Sequence, residues 1–182
     1  MLYGYANGMD LSPVRRIGDR PTPKSIGNST TMAVDIKTAA EAHRTLILLA
    51  ESVASRLRHE KLMCRTVEIS IRNTELDWRS HRMRLRYATD ITSELIDYAM
   101  ELLIQCHDFS TPLRSLGLRG LELINADEPE QVDIFINYVN VEKQRKIDAA
   151  VDKIRSKYGN ELIQRASIFG QIPSDFGFCA LP

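Results

Sequence analysis

Cysteine is scarce in this sequence, and its spacing excludes the sites that cysteine commonly builds. Three cysteines stand at positions 64, 106 and 179, and none belongs to a C-x-x-C pair. An odd number without paired spacing predicts reduced thiols and no zinc knuckle. Because two of the three stand among apolar residues, we expect those two to lie in the core.

Long hydrophobic runs are also missing. No apolar stretch approaches the length of a membrane span, and the N-terminus lacks the charged-then-apolar pattern of an exported protein. We therefore expect a cytoplasmic protein with no membrane partner. Hydrophobic residues make up 43% of the chain and charged residues 26%, which is typical of globular proteins. The 182 residues are enough for one ordinary domain with an appendage.

Residues that carry catalysis occur, but without the necessary spacing. The four histidines, to which we assign structural or surface roles, are His43, His59, His81 and His107. Isolated acids such as Asp10 and Asp175 are interpreted as caps or surface charge. No nucleophile–base pair stands out, which argues against a complete small enzyme.

The formal net charge of zero conceals an asymmetry. Residues 1–86 carry 15 Lys and Arg against 9 Asp and Glu, and residues 87–182 carry 9 against 15. A basic half beside an acidic half suggests a polyanion on one side of the molecule. Chance placement of solvated charge is the alternative.

Hydrophobic periodicity predicts four strands and two long helices in the order β-α-β-β-α-β. Thr38 and Glu41 have the spacing of a capping box, and apolar residues at three- and four-residue intervals continue the first helix to about residue 61. A similar repeat predicts a second helix over 92–107. Alternation predicts strands over 24–34, 65–72, 79–87 and 113–124. In the fourth strand the apolar residues switch from one alternating set of positions to the other near Gly120, which predicts a bulge there. The fold class is α+β, a ferredoxin-like four-stranded sheet with two helices on one face.

The open face of this sheet is expected to carry arginines. Apolar residues of the third strand alternate with Arg82, Arg84 and Arg86, and Arg119 takes an open position of the fourth strand. A polar, arginine-lined face can lie along a phosphate backbone. A merely solvated face is the alternative, which the choice of arginine over lysine makes slightly less favourable.

A third helix is predicted over 140–158, ending at Gly159. We expect it to pack on the domain as an accessory helix through Ile147, Ala150, Val151, Ile154 and Tyr158. Its other face is charged. Residues 160–182 look like a less ordered tail.

Four segments resemble a known family. "YANGMDLSPV" resembles the end of the thumb of Y-family translesion DNA polymerases, the ImpB/MucB/SamB group. "KSIGNSTTM" resembles the first strand of their little finger domain, and "CRTVEISIR" and "LRSLGLRGLEL" resemble its second and fourth strands. The resemblance implies a thumb remnant at 1–14 and a little finger at 24–126. Between them, prolines, a glycine and basic residues predict an extended basic linker at 15–23.

The resemblance implies a DNA-binding role. In this family the little finger sits in the major groove and holds both backbones largely without reading sequence. The first-strand residues implied to lie at phosphates are Lys24, Ser25, Gly27, Asn28, Ser29 and Thr30. Asn28 stands where some relatives are basic, which implies a weaker contact. Arg114 and Arg119 match basic positions that contact template phosphates.

The resemblance places the polymerase chemistry elsewhere. The reaction needs carboxylates that bind two metal ions, and the family supplies them from an N-terminal palm domain. No S-x-D-E or comparable pair occurs in this sequence. We therefore expect a non-catalytic chain with no cofactor of its own, with Mg²⁺ in the palm and with the rest of the polymerase as a partner.

An apolar segment lies in the acidic stretch 127–139. Within "EPEQVDIFIN", the residues Gln131, Val132, Asp133, Ile134 and Phe135 resemble the bacterial sliding-clamp motif Q-[LV]-[SD]-[LI]-F. Translesion polymerases carry such a peptide near the little finger. Gln131 would hydrogen-bond at the edge of a groove, and Ile134 and Phe135 would fill a hydrophobic pocket. The alternative is that the apolar residues pack under the third helix.

These observations favour a DNA-binding C-terminal fragment of a translesion polymerase that grips primer–template DNA and docks on the sliding clamp. The alternative is a free-standing RNA-binding ferredoxin-like module. Such modules stack bases on sheet aromatics, whereas the exposed sheet positions here offer arginines and hydroxyls.

Overall fold

The chain folds as one four-stranded sheet with helices, as the sequence predicts. A computed structural model describes residues 2–9, 13–14, 16, 23–128, 138–160 and 162–168. Its elements are α1 (Leu2–Ala6), β1 (Ser25–Ile36), α2 (Ala39–His59), β2 (Leu62–Asn73), β3 (Trp78–Thr89), α3 (Thr92–Cys106), β4 (Leu113–Asn125), α4 (Tyr138–Tyr158) and a 3₁₀ turn (Ala166–Ile168). The β-α-β-β-α-β order is confirmed, and the strands are longer than the alternating patterns indicate.

The sheet is antiparallel in the order β1-β4-β2-β3, so β1 and β3 form its edges. Helices α2 and α3 cover one face, where the apolar residues of the strands form the core with the apolar stripes of the helices. Fully buried side chains of this core include Leu46, Leu49, Ile69, Leu95, Leu103, Leu116 and Leu118. Each such side chain contributes about 1.5–3 kcal/mol through burial. The other face of the sheet is free of α2 and α3.

The predicted bulge at Gly120 is wrong. β4 keeps an unbroken register with β2 on both sides of this residue. Glycine is needed there because a Cβ would lie 2.9 Å from the Cβ of Cys64. Register shifts occur elsewhere, between Thr31 and Ile36 of β1 and between Arg72 and Asn73 of β2. A third falls on β3, since Thr66 pairs with Arg84 whereas Cys64 pairs with Thr89.

The predicted capping box at the start of α2 is confirmed. The Thr38 hydroxyl accepts a hydrogen bond from the backbone N–H of Glu41, and the Glu41 carboxylate accepts one from that of Thr38, both at 3.3 Å. The N–H of Lys37 also donates to this carboxylate at 2.8 Å and lowers the pKa of Glu41. These bonds satisfy backbone donors that the first helical turn leaves open.

Helix α4 packs on the domain, but not through the face that its sequence predicts. Ile147 is 45% exposed, Ile154 is 38% exposed and Tyr158 is 58% exposed, whereas Asp148 is only 6% exposed. The charged face therefore points inward. The reason lies in α2, which presents Arg58 and Glu51 to α4; buried charges of this kind require ionic partners.

The contacts between α4 and the domain are ion pairs and hydrogen bonds. The Arg58 guanidinium donates to Asp148 and, through two nitrogens, to Asp152. Asp148 also accepts a 2.8 Å hydrogen bond from the backbone N–H of Thr92, so a side chain of α4 caps the N-terminus of α3. The other ion pairs of α4 are Arg145–Asp90 and Arg155–Glu51. Arg165, which follows the helix, also pairs with Glu51.

Candidate nucleic-acid interface

The open sheet face is organised in rows that run across the strands, because residues paired between antiparallel strands share a face. One row contains Gly27, Arg119, Glu68 and Arg82. The next contains Ser29, Gly117, Ser70 and Ser80, and a third contains Thr31, Ser115, Arg72 and Trp78. Successive rows are two residues apart, about 7 Å along the strands. The small second row therefore forms a trough between two rows of larger side chains.

The depth of this trough depends on glycine at position 117. A Cβ there would lie 2.3 Å from the Oγ of Ser70 and 3.0 Å from the Cβ of Ser29. Any larger residue would collide with both neighbouring strands. The resulting depression has a volume of about 440 Å³ and is bordered by Arg119, Glu68 and Trp78.

A buried acid lies between two of the predicted arginines. The Glu68 carboxylate, which is 7% exposed, accepts a hydrogen bond from Nε of Arg82 and lies 3.5 Å from Nη1 of Arg119. The arginine side chains themselves are 67% and 54% exposed. Glu68 thus holds both guanidinium groups at the sheet surface. The alternation of polar residues places Glu68 on this face, but nothing in the local pattern indicates that it pairs with arginines of two other strands.

The remaining predicted arginines divide between this face and other surfaces. Arg84 lies on the open face, opposite Thr66. Arg86 lies in the bulged part of β3, where its charge opposes the burial that raises the pKa of Tyr98 on α3. Arg114 lies at the start of β4, with Nη1 3.3 Å from a carboxylate oxygen of Asp35. The structure therefore brings Arg82, Arg84 and Arg119 together and leaves Arg86 and Arg114 apart.

The predicted residues of β1 divide in the same way. Ser25, Gly27 and Ser29 belong to the open face, and Lys24 is exposed just before the strand. Asn28 turns to the other side, where its amide donates to the Oγ of Ser52 on α2 at 3.1 Å. Thr30 pairs with the core residue Leu116 and shares its face. Strand alternation therefore turns the side chains of Asn28 and Thr30 toward the helices. The phosphate contacts implied for this segment stay a prediction.

Sequence reasoning missed an aromatic residue on this face. Trp78 begins β3, is 57% exposed and borders the trough. The Arg72 guanidinium lies 5.4 Å from the centroid of its ring, within the range of a cation–π contact. Among the described strands Trp78 is the one aromatic residue on the open face. The sequence does contain a signal for this exposed position, because a single tryptophan begins an alternating strand next to a charged residue.

Three further features bear on ligands. Within the described residues, no three His, Cys, Asp or Glu side chains come together as a metal site would require. Across the same residues, no helix is long and apolar enough to cross a membrane. The proposed clamp-binding residues 131–135 lie outside the described part of the chain.

The fold and this face define a class: an α+β sheet module with one face covered by helices and one polar, arginine-bearing face. Comparison with known proteins gives the family. Residues 23–134 match the model of the impB/mucB/samB family C-terminal domain. The chain therefore belongs to this family and contains the C-terminal domain of a Y-family DNA polymerase.

Relatives agree with this assignment. DNA polymerase IV of Acetivibrio thermocellus is 34% identical over 90% of this chain and 41% of its own length. DNA polymerase IV 2 of Halalkalibacterium halodurans is 33% identical over 93% of this chain and 41% of its own. The chain thus spans about two fifths of the length of these relatives. The little finger domain of PolIV, solved in complex with the beta-clamp processivity factor, is 17% identical with a TM-score of 0.47, covering 62% of this chain and 99% of that domain.

Proposed function

We propose that this chain is the DNA-binding part of a translesion, damage-bypass polymerase, in which the open sheet face grips primer–template phosphates. The observation that carries this proposal is the grouping of Arg82, Arg84 and Arg119 on a sheet face that α2 and α3 leave uncovered. Membership of the family supports it. Residues 131–135 dock on a bacterial sliding clamp, residues 1–14 end the thumb, and Mg²⁺ binds in the palm domain outside this chain.

The arginines that pair with Glu68 can still bind phosphate. A guanidinium carries five N–H donors, and the carboxylate faces one nitrogen of each arginine. The other donors are free to bind phosphate oxygens, often in pairs. The trio of Arg82, Glu68 and Arg119 keeps a formal charge of +1, and Arg84 raises it to +2. Because Glu68 holds the arginines in place, less side-chain entropy is lost when phosphate binds.

The trough supports the same role. Its row of glycine and serines lets a sugar–phosphate backbone approach the sheet closely, and the serine hydroxyls donate to phosphate oxygens. Neither contact depends on the base. Binding is therefore largely independent of sequence, as a polymerase that must move along any template requires.

Replacing Arg119 with alanine is expected to weaken binding to duplex DNA of any sequence. Each phosphate contact contributes about 0.9 to the slope of log K against log salt. The substitution should reduce the magnitude of this slope by about one unit. Fluorescence anisotropy of labelled duplexes, measured over a range of salt concentrations, gives both quantities.

The matched control is Lys153→Ala, which also removes one positive charge but from the exposed face of α4. It is expected to leave the slope unchanged, because α4 packs against the helices rather than the open sheet face. An equal change of slope in both variants would mean that only the net charge matters. An unchanged slope for Arg119→Ala would remove this residue from the contact.

The chain alone is expected to extend no primer. The assay supplies a primer–template, all four nucleotides and Mg²⁺ or Mn²⁺, with a complete polymerase as the positive control. The reason is that phosphoryl transfer needs paired carboxylates on two metal ions, which this proposal places in the palm. Metal-dependent incorporation by a sample free of other polymerases would contradict the proposal.

An RNA-binding module is less well supported. Four-stranded RNA-binding sheets stack two or three bases on aromatic residues. In the described part of the open face Trp78 is the one aromatic residue, and arginines and serines occupy the positions next to it along β3.

A further inference from the structure

The exposed tryptophan is not part of the hydrophobic core of the domain. More than half of Trp78 is open to solvent, and large exposed aromatic residues on a binding face commonly anchor a ligand. Arg72 stands over one side of the ring, which leaves the portion that borders the trough available. A ring backed by a guanidinium offers a flat stacking surface at the end of a depression of about 440 Å³, a volume within the range of small-ligand sites.

We propose that Trp78 and Arg72 form a stacking site for one unpaired base of the template strand, next to the duplex that the arginines hold. This inference rests on the proposed function. Bases within a duplex stack on each other and present only their edges. An aromatic side chain can therefore stack on a base only where that base is unpaired. The ligand is therefore single-stranded DNA at its junction with duplex.

The distance between Trp78 and the arginines on the sheet leaves room for a base at one and phosphates at the other. Trp78 lies four residues from Arg82 along β3, about 13 Å, with the trough between them. A strand whose phosphates contact Arg82 and Arg119 has room to cross the trough and place a base on Trp78. Stacking tolerates every base because each has a π face. The site would hold the template without reading its sequence.

The chain provides its own probe, because Trp78 is the one tryptophan in the sequence. The full chain is titrated with a blunt duplex and with the same duplex carrying a short single-stranded overhang. Fluorescence is excited at a wavelength that tyrosine does not absorb. Quenching is expected with the overhang DNA and not with the blunt duplex. Equal quenching by the two DNAs, or none by either while both bind, would overturn the proposal.

Substitutions separate stacking from packing. Trp78→Leu is expected to weaken binding of the overhang DNA about tenfold, a typical loss for one stacked base, and to leave blunt-duplex binding unchanged. Trp78→Phe, which keeps an aromatic ring, should recover part of that loss. If the leucine and phenylalanine variants bind the overhang DNA equally, or if leucine weakens both DNAs equally, stacking is refuted.

Two further results separate a failure of the stacking site from a failure of the proposed DNA-binding function. Blunt-duplex binding that shows no dependence on salt would overturn the proposed function itself, whereas salt-dependent binding without any contribution from the overhang would overturn only the stacking site. An RNA duplex with an RNA overhang is tested in parallel. Tighter binding of the RNA than of the DNA would refute the assignment to a DNA template.

Discussion

Replacing Arg58 with alanine is expected to lower the free energy of unfolding by about 3 kcal/mol, because breaking a buried ion pair leaves an uncompensated charge. Arg58 contacts Asp148 at 3.1 Å and Asp152 at 2.6 Å, and the three side chains are 12%, 8% and 24% exposed. Water therefore has little access to replace the lost partner. For a chain of this length the change corresponds to a fall in Tm of roughly 10 °C. Urea unfolding and a thermal scan measure the two quantities.

Two variants test the cause of this effect. Lys146→Ala removes one cation from the same helix, but its pair with Glu142 is 75% and 69% exposed, so stability should stay nearly unchanged. A double variant, Arg58→Met with Asp148→Asn, should recover part of the loss. It removes the buried carboxylate charge, while an amide oxygen can still accept the hydrogen bond from Thr92. Equal stabilities of Arg58→Ala and Lys146→Ala would mean that α4 does not dock through this cluster.

Replacing Ile134 and Phe135 together with alanine is expected to weaken binding to the cognate bacterial sliding clamp at least 100-fold. In the proposed complex both side chains fill a hydrophobic pocket, and anchor residues of this kind contribute about 2 kcal/mol or more each. The peptide must become ordered on binding, so we expect a dissociation constant for the unaltered chain of roughly micromolar magnitude. Isothermal titration calorimetry measures it directly.

A matched control lies in the same segment. Ile136→Ala removes an apolar side chain just outside the Gln131–Phe135 motif and should leave clamp affinity nearly unchanged. Thermal unfolding of every variant shows whether the fold is intact. If the double variant binds as tightly as the unaltered chain while folded, the motif does not bind the clamp. If the double variant unfolds instead, Ile134 and Phe135 pack in the domain.

The sequence was sufficient for the order of elements and for most of the core. Strand alternation and helical periodicity are local properties, and they correctly placed residues such as Leu46 in α2 and Ile69 in β2 on the buried face. The capping box of Thr38 and Glu41 was equally local. Family resemblance added the connection to Y-family polymerases, which no periodicity could supply.

The orientation of α4 could not be predicted, because it depends on residues far away in the chain. Its sequence has an apolar face and a charged face, and burial of the apolar face is the usual outcome. In this protein α4 buries its charged face instead, because that face pairs with the buried charges of Arg58 and Glu51. Those two residues lie about ninety to a hundred positions earlier in the chain. Such pairing becomes visible only after the domain has folded.

The positions of the candidate site residues on the sheet were predictable in part, whereas their contacts with phosphate stay a prediction. Alternation placed Arg82, Arg84 and Arg119 on the open face, but it also shows why Asn28 cannot share that face with Gly27 and Ser29. The pairing with Glu68 depends on three strands at once and has no local signature.

The position of β3 at the sheet edge gives its arginines a second effect. An edge strand offers unpaired N–H and C=O groups to strands of other molecules, and bulges and charged side chains are the common defences against such association. β3 has both, with Arg79, Arg82 and Arg84 exposed along it. Neutralising several of them together is therefore expected to promote aggregation as well as to weaken the proposed DNA binding. The aggregation grows with protein concentration, whereas the loss of intrinsic affinity does not, so a dilution series separates the two.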